Sequence, residues 1–425
     1  MNDEQQFSMV RTHICGLRVA DLVSKYGTPL YVYDEATILE QIEALRSFDW
    51  IRYAQKACSN LAVLDRIRRR GVLVDAVSAG EIRRALEVGY VPEGDPPPIV
   101  YTADLFDQEA LDLVVERNIH VNCGSPEMID QLGSRVQGRE ITLRINPGFG
   151  HGHSQKTNTG GPQSKHGIWH EDLADCLERS RSHGLKISGL HMHIGSGTDL
   201  GHLSQVVGAM ESMAREVGPQ ITSLSAGGGL SIPYQEGESR VDISGYFELW
   251  DGLRRSLAKE WGHPIRLEIE PGRYLLAESG FLIAEIRAVK RMGENTFYLL
   301  DAGFNNLARP ILYGAYHPMS VVPASGEDTA RPLRDVVVGG PLCESGDIFT
   351  QEEGGFVRTR SLPDARVGEH VVIECAGAYG FVMGSNYNSK PMAAEVLIVG
   401  GTPHLVRSRQ TFEDLIRGES ILDID

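Results

Sequence analysis

The chain has 425 residues, 41% of them apolar and 23% charged, an ordinary composition for a folded protein of two or three domains. Its 57 acidic residues against 41 basic ones give a formal charge of −16, which argues against nucleic acid or an anionic membrane as the main partner but leaves room for local positive charge at a phosphorylated cofactor. No apolar run reaches the ~20 residues of a membrane helix, Met1–Gly16 lacks a signal-peptide core, and the six dispersed cysteines read as free thiols of a reducing compartment, so a cytoplasmic protein is expected.

In chain order, residues 1–32 contain no βα unit. Apolar runs then alternate with segments of helical spacing. Ile51–Gln55, Val72–Val77, Ile99–Ala103 and Ile119–Asn122 read as strands, followed by Ile141–Ile145, Ile187–Ile194, Ile221–Ser225 and Ile265–Ile269. Leu61–Arg70, Glu81–Gly89 and Gln108–Arg117 are among the helices between them. Eight such units predict an α/β chain with a parallel (β/α)8, TIM-like barrel over residues 33–275; an open doubly wound sheet is the alternative. The Gly-rich stretch Gly148–Gly167 is long for a barrel loop and reads as a lid or a mobile insertion. Beyond residue 275, Ala284–Val289, Thr296–Leu300, Asp335–Val338, His370–Glu374 and Ala394–Val399 read as strands joined by Gly- and Pro-containing turns. They predict a mostly antiparallel β domain built from residues 1–32 and 276–425.

A barrel collects its chemistry where strands end. Lys56 ends the first strand, His193-Ile-Gly-Ser196 the sixth, Gly227-Gly228-Gly229 the seventh and Glu270-Pro-Gly272-Arg273 the eighth. A semi-buried Lys56 can offer a neutral amine as a nucleophile, or it can snorkel to the rim. The three glycines let backbone N–H groups approach an anion, with Arg273 and Ser196 as further donors, or they form a plain turn. Glu270 can keep a pyridine nitrogen protonated or pair with Arg273. His191 and His193 lie on one strand face, as a zinc pair or with one ring packed on a cofactor. The other strand ends lack the further ligands zinc needs, so no metal is expected. Cys343 is a candidate proton donor or a buried inert thiol. Tyr379 sits in a Gly-flanked turn, as a phosphate ligand or a surface phenol.

Together, Tyr31–Asp34, Tyr53–Asn60, Ser78–Glu81, His191–Gly197, Gly227–Gly229 and Glu270–Arg273 resemble the fold-type III pyridoxal-phosphate decarboxylases. Asp301–Phe304, Arg309–Tyr313, Gly339–Ser345, Gly377–Gly380 and Ser385–Asn388 continue the resemblance in that family's order. It implies pyridoxal 5′-phosphate held covalently by Lys56, with His193 stacked on its ring and Glu270 on its ring nitrogen. Ser196, Gly227, Gly228, Gly229, Gly272, Arg273 and Tyr379 would surround its phosphate. Cys343 would protonate the α-carbon. Arg273, Arg309, Tyr313, Glu344 and Tyr379 would bind the substrate. Cys343 and Glu344 would reach a partner's site, implying a homodimer. A distal carboxylate needs the arginines and a distal ammonium needs Glu344, so the implied reaction is decarboxylation of meso-2,6-diaminopimelate to L-lysine and carbon dioxide. The alternatives are a relative acting on ornithine, arginine or carboxynorspermidine, or a silent binding relative.

Overall fold

The computed structural model describes residues 7–150, 159–193, 200–324 and 330–422. Its longer strands, in chain order, are β1 (Leu30–Asp34), β2 (Trp50–Ala54), β3 (Leu73–Ala76), β4 (Ile99–Ala103), β5 (His120–Cys123) and β6 (Glu140–Asn146). Then come β7 (Lys186–His191), β8 (Ser223–Ser225), β9 (Arg266–Ile269), β10 (Gly280–Met292), β11 (Asn295–Leu300) and β12 (Met319–Val322). The last are β13 (Leu333–Gly339), β14 (Arg360–Pro363), β15 (His370–Ile373), β16 (Ala394–Val399) and β17 (Thr402–Arg407).

The chain divides into two compact units, residues 38–232 with 240–275, and residues 1–37 with 233–239 and 276–425. In the first, β2 to β9 pair in parallel in sequence order, and β9 pairs back onto β2, closing an eight-stranded barrel. The helices between the strands start at side-chain caps where the sequence supplies them. Asn60, Ser78 and Asp107 each accept a backbone N–H of the first turn. Alternation along the strands separates two environments. Ile51, Tyr53, Val121, Leu143, Leu224, Leu267 and Ile269 are buried apolar positions. The residues between them, Arg52, Asn122, Thr142, Ser223, Ser225 and Glu268, line a polar cavity. Gly189 keeps that cavity open, since a Cβ there would fall 2.6 Å from Thr142 Oγ1 and 2.7 Å from Ser223 Oγ.

Within this polar interior Arg52, 1% exposed, donates from Nε and Nη2 to Glu268 Oε2 at 2.9 and 2.7 Å, and from Nη1 to the Pro97 carbonyl at 2.9 Å. Two buried charges survive only as a hydrogen-bonded pair.

The second unit is a mixed sheet in the order β14-β13-β11-β10-β1-β16-β17, with β15 pairing both β10 and β12. Two pairings, β11 with β13 and β1 with β16, are parallel, and the rest are antiparallel. Its core gathers Ile14, Val19 and Leu22 from the N-terminal segment with Leu30, Val32, Ile283, Val372, Val396 and Ile398. Two boundaries differ from the sequence reading. Tyr33 and Asp34 lie on β1, whose hydrogen bonds run to β10 and β16, so they belong to this sheet. Pro233–Ser239 also groups with it, and within the unit Arg309 Nη1 donates to Tyr234 Oη at 3.2 Å.

Replacing Arg52 by Met leaves Glu268 buried and alone, and is expected to destabilise the protein by ~3–5 kcal/mol. The double change Arg52→Met with Glu268→Leu recovers most of that. Urea unfolding midpoints check it; equal midpoints for the single and double variants would contradict it.

Candidate active site

Lys56 sits in a short 3-10 turn, Gln55–Ala57, at the end of β2. Side chains strap this turn to the barrel. Gln55 Nε2 donates to the Glu81 carbonyl at 3.1 Å, Tyr53 Oη to the Cys58 carbonyl at 2.8 Å, and Arg84 Nη1 to the Ser59 carbonyl at 2.8 Å. Ser78–Glu81 is a capping device. Ser78 Oγ accepts the Glu81 N–H at 3.2 Å and Glu81 Oε2 accepts the Val77 N–H at 2.8 Å. Lys56 itself is exposed, which fits the rim position of the two the sequence left open. Its charge is felt by Asp75, Glu81 and His193.

Glu270, at the end of β9, is buried and accepts two hydrogen bonds. His191 Nε2 donates to Oε2 at 2.7 Å and Ser225 Oγ to Oε1 at 3.1 Å. Burial opposes its ionisation. The charge and hydrogen bond of His191, with the Arg52 charge, outweigh burial and hold the carboxyl well below the usual range. His191, not Arg273, is its partner among these contacts. Of the two histidines, His191 at the strand end meets the carboxylate, while His193 lies just beyond the strand. Among the described residues, no group of three or more His, Cys, Asp or Glu side chains is placed to hold a metal ion.

His193 Nδ1 accepts the Gly228 N–H at 2.8 Å. Burial, then the Arg144, Lys56 and His191 charges, push its pKa well down, so the ring is neutral with its proton on Nε2. The glycine loop is dictated by close approach. A Cβ on Gly227 would fall 2.4 Å from the Met192 carbonyl, and one on Gly228 2.5 Å from the Glu270 carbonyl. The Gly227 N–H donates to Ser225 Oγ at 3.2 Å, and that of Gly229 has no partner among the described residues. Gly272 packs on the Lys56 turn, where its Cβ would sit 3.3 Å from Ala54 and Ala57. Arg273 opens a short helix and is half-buried. Ser196, with His151 and His153 of the Gly-rich stretch, lies outside the described residues. The described base of that stretch is fixed. Asn146 Oδ1 accepts the N–H groups of Gly148 and Gly161 at 3.1 and 2.9 Å, and Asp104 accepts the Gly167 N–H at 2.9 Å.

In the second unit, His317 Nδ1 donates to the Glu374 carbonyl at 3.0 Å, which leaves Nε2 as an acceptor for Arg309 Nη1 at 3.0 Å. The buried guanidinium of Arg309 also lies 5.3 Å over the Tyr234 ring. Tyr313 ends the helix Arg309–Tyr313 and is half-buried. Cys343 and Glu344 are both exposed, so Cys343 is not a buried thiol. Their loop is folded around the buried Asp347, which accepts the Phe304 N–H at 2.7 Å and the Leu342 N–H at 2.8 Å. A Cβ on Gly303 or Gly340 would fall 2.7 or 2.2 Å from that carboxylate, which explains both glycines. Asn388 Oδ1 accepts the Cys343 N–H at 2.7 Å. Tyr379 is half-buried at φ +57° in a packed turn, where Gly380 faces the Tyr31 hydroxyl.

Residues 36–277 match the family model described as "pyridoxal-dependent decarboxylase, pyridoxal binding domain". The chain belongs to the pyridoxal-dependent decarboxylases. A diaminopimelate decarboxylase of Streptomyces coelicolor is 55% identical over 404 residues, covering 95% of this chain and 92% of the relative. One of Escherichia coli K12 is 53% identical over 396 residues, covering 93% and 94%. A crystal structure of diaminopimelate decarboxylase superposes with a TM-score of 0.93 at 51% identity, covering 96% of this chain and 98% of the other.

For a decarboxylase of this family, the barrel residues fit pyridoxal phosphate. An amine, an ionised carboxylate, a neutral imidazole and a glycine loop lie at neighbouring strand ends. Other features were missed from the sequence. Burial, then the Glu270 charge, push Asp75 up to about 7, against the Lys56 charge and a Thr102 hydrogen bond. Arg52 and Glu268 carry charge inside apolar strands, an anomaly that would have flagged them. Asn388 lies in a segment that carries the resemblance, but its contact with the Cys343 N–H, 45 positions away, was not read; Asp347, Tyr234 and His317 stand in no segment the sequence singled out.

Asp347→Ala removes the acceptor of two backbone N–H groups, which costs ~2 kcal/mol locally. Amide exchange at Phe304 and Leu342 is expected to accelerate while the barrel is unchanged. Unaltered protection at both amides would contradict this account of the loop.

Proposed function

We propose that the protein decarboxylates meso-2,6-diaminopimelate to L-lysine and carbon dioxide, the last step of lysine synthesis from that diacid, with pyridoxal phosphate as cofactor. Its full-length likeness to diaminopimelate decarboxylases, 55% identical over 95% of the chain, carries this reading. A relative from Helicobacter pylori was solved in complex with L-lysine, at TM-score 0.83 and 27% identity.

The residues then take the following parts. Lys56 holds the cofactor through its amine. His193, neutral and oriented by Gly228, stacks on the ring. Gly227, Gly228, Gly229, Gly272, Arg273, Ser196 and Tyr379 surround the phosphate, with Gly229 the glycine of the 227–229 loop whose N–H has no partner among the described residues. Glu270 faces the ring nitrogen. When bound, the protonated ring accepts the electron pair that departing carbon dioxide leaves behind. Cys343 delivers a proton to the α-carbon. Arg273 and Arg309 offer forked donors to the distal carboxylate, and Glu344 takes the distal ammonium, with Tyr313 and Tyr379 beside them.

The exposure of Cys343 and Glu344 supports a homodimer with shared active sites. A proton donor must lie beside the reacting carbon and away from water, and a second chain supplies that cover. The six cysteines, none of them in a disulfide, favour the cytoplasm. Among the described residues, no helix is long and apolar enough to cross a membrane.

Lys56→Ala is expected to abolish both the bound cofactor's visible absorbance and carbon dioxide release from meso-2,6-diaminopimelate; normal turnover would contradict the reading. Cys343→Ala is expected to keep the cofactor and slow turnover by ~10²–10⁴-fold. Mixing the two inactive variants, with subunit exchange, should restore activity through hybrid dimers. No recovery despite exchange would count against shared sites.

A further inference from the structure

On the reading that Glu270 faces the ring nitrogen, we propose that His191 is the positioning residue that decides on which side of that pair the proton sits. A proton between a carboxylate and a pyridine nitrogen goes to the stronger base. Burial makes a carboxylate a stronger base, because the charged form loses its hydration. A buried Glu270 left to itself would therefore draw the proton away from the ring, and the ring would lose its power to accept electrons.

The structure opposes this with two donors. His191 Nε2 lies 2.7 Å from Glu270 Oε2, with side chains only 1% and 7% exposed. The Ser225 hydroxyl lies 3.1 Å from the other oxygen and also accepts the Gly227 N–H at 3.2 Å. The serine is thus divided between the carboxylate and the glycine loop, and His191 is not. Its Nδ1 is buried and has no partner among the described residues, so its one hydrogen bond ends on Glu270. Burial of the histidine–carboxylate pair strengthens the bond, since little water screens it.

Sequence position supports the assignment. His191 is the last residue of β7, and Glu270 directly follows β9. β8 lies between these strands and contributes Ser225, so three consecutive barrel strands deliver the carboxylate and both its donors to one level.

The test uses holoenzyme reconstituted with pyridoxal phosphate carrying 15N at the ring nitrogen, whose NMR shift reports protonation directly. Wild type should show a protonated nitrogen and Glu270→Gln an unprotonated one. His191→Met removes the donor, and His191→Asn, smaller and polar, places its amide too short to reach Glu270. Both should shift the signal toward the unprotonated form and lower kcat about tenfold, the equivalent of one pKa unit. His191→Gln restores a donor at the Nε2 position and should return the signal and most of kcat. If Glu270→Gln leaves the signal unmoved, the placement of Glu270 at the ring fails, and this inference with it. If Glu270→Gln moves it and neither His191→Met nor His191→Asn does, only the role given to His191 is overturned.

Discussion

One buried carboxylate orders the barrel unit. On the reading proposed for the site, Glu270 must stay charged where burial would neutralise it, and several neighbouring contacts favour that charge. His191 and Ser225 hydrogen-bond its two oxygens. The buried Arg52 adds positive charge from below while its own charge is matched by Glu268. The backbone carbonyl of Glu270 leaves no room for a Cβ on Gly228, whose N–H in turn fixes the tautomer of His193. A single electrostatic need thus reaches from the barrel's polar interior to the glycine loop at its mouth.

The second unit solves a different problem by the same means. Its loop bearing Cys343 and Glu344 is exposed, yet its base is built on a buried carboxylate that collects backbone N–H groups. Asp347 makes Gly303 and Gly340 obligatory, because its oxygens occupy the space a side chain would need. Arg309 is held by a histidine whose tautomer is set by a main-chain carbonyl. In both units the functional side chains rest on polar contacts that are themselves buried, and such contacts lose little to solvent.

The barrel was legible in the sequence because alternation and spacing are local properties. All eight strands appear within a few residues of where the apolar runs placed them. In the second unit, Leu30–Asp34 was not read as a strand, since its neighbours β10 and β16 lie hundreds of residues later. The short strands β12, β14 and β17 were missed for a similar reason, being defined by pairing rather than by pattern. At the site, residue identity pointed to the chemistry of Lys56, Glu270 and the three glycines. Exposure of Cys343 could not be read, and the rim position of Lys56 was one of two the sequence left open, because exposure depends on how a turn leaves its strand. For Glu270 the sequence offered a ring nitrogen or the neighbour Arg273 as partner, and not His191. The actual partner, His191, lies 79 positions away.

The most direct test of the central claim is carbon dioxide release by purified protein supplied with pyridoxal phosphate. Parallel reactions would contain meso-2,6-diaminopimelate, its LL isomer, ornithine and arginine. The account predicts release from the meso isomer alone, with L-lysine formed in equal amount. Preferential release from ornithine or arginine, or no release from any substrate with the cofactor visibly bound, would contradict it.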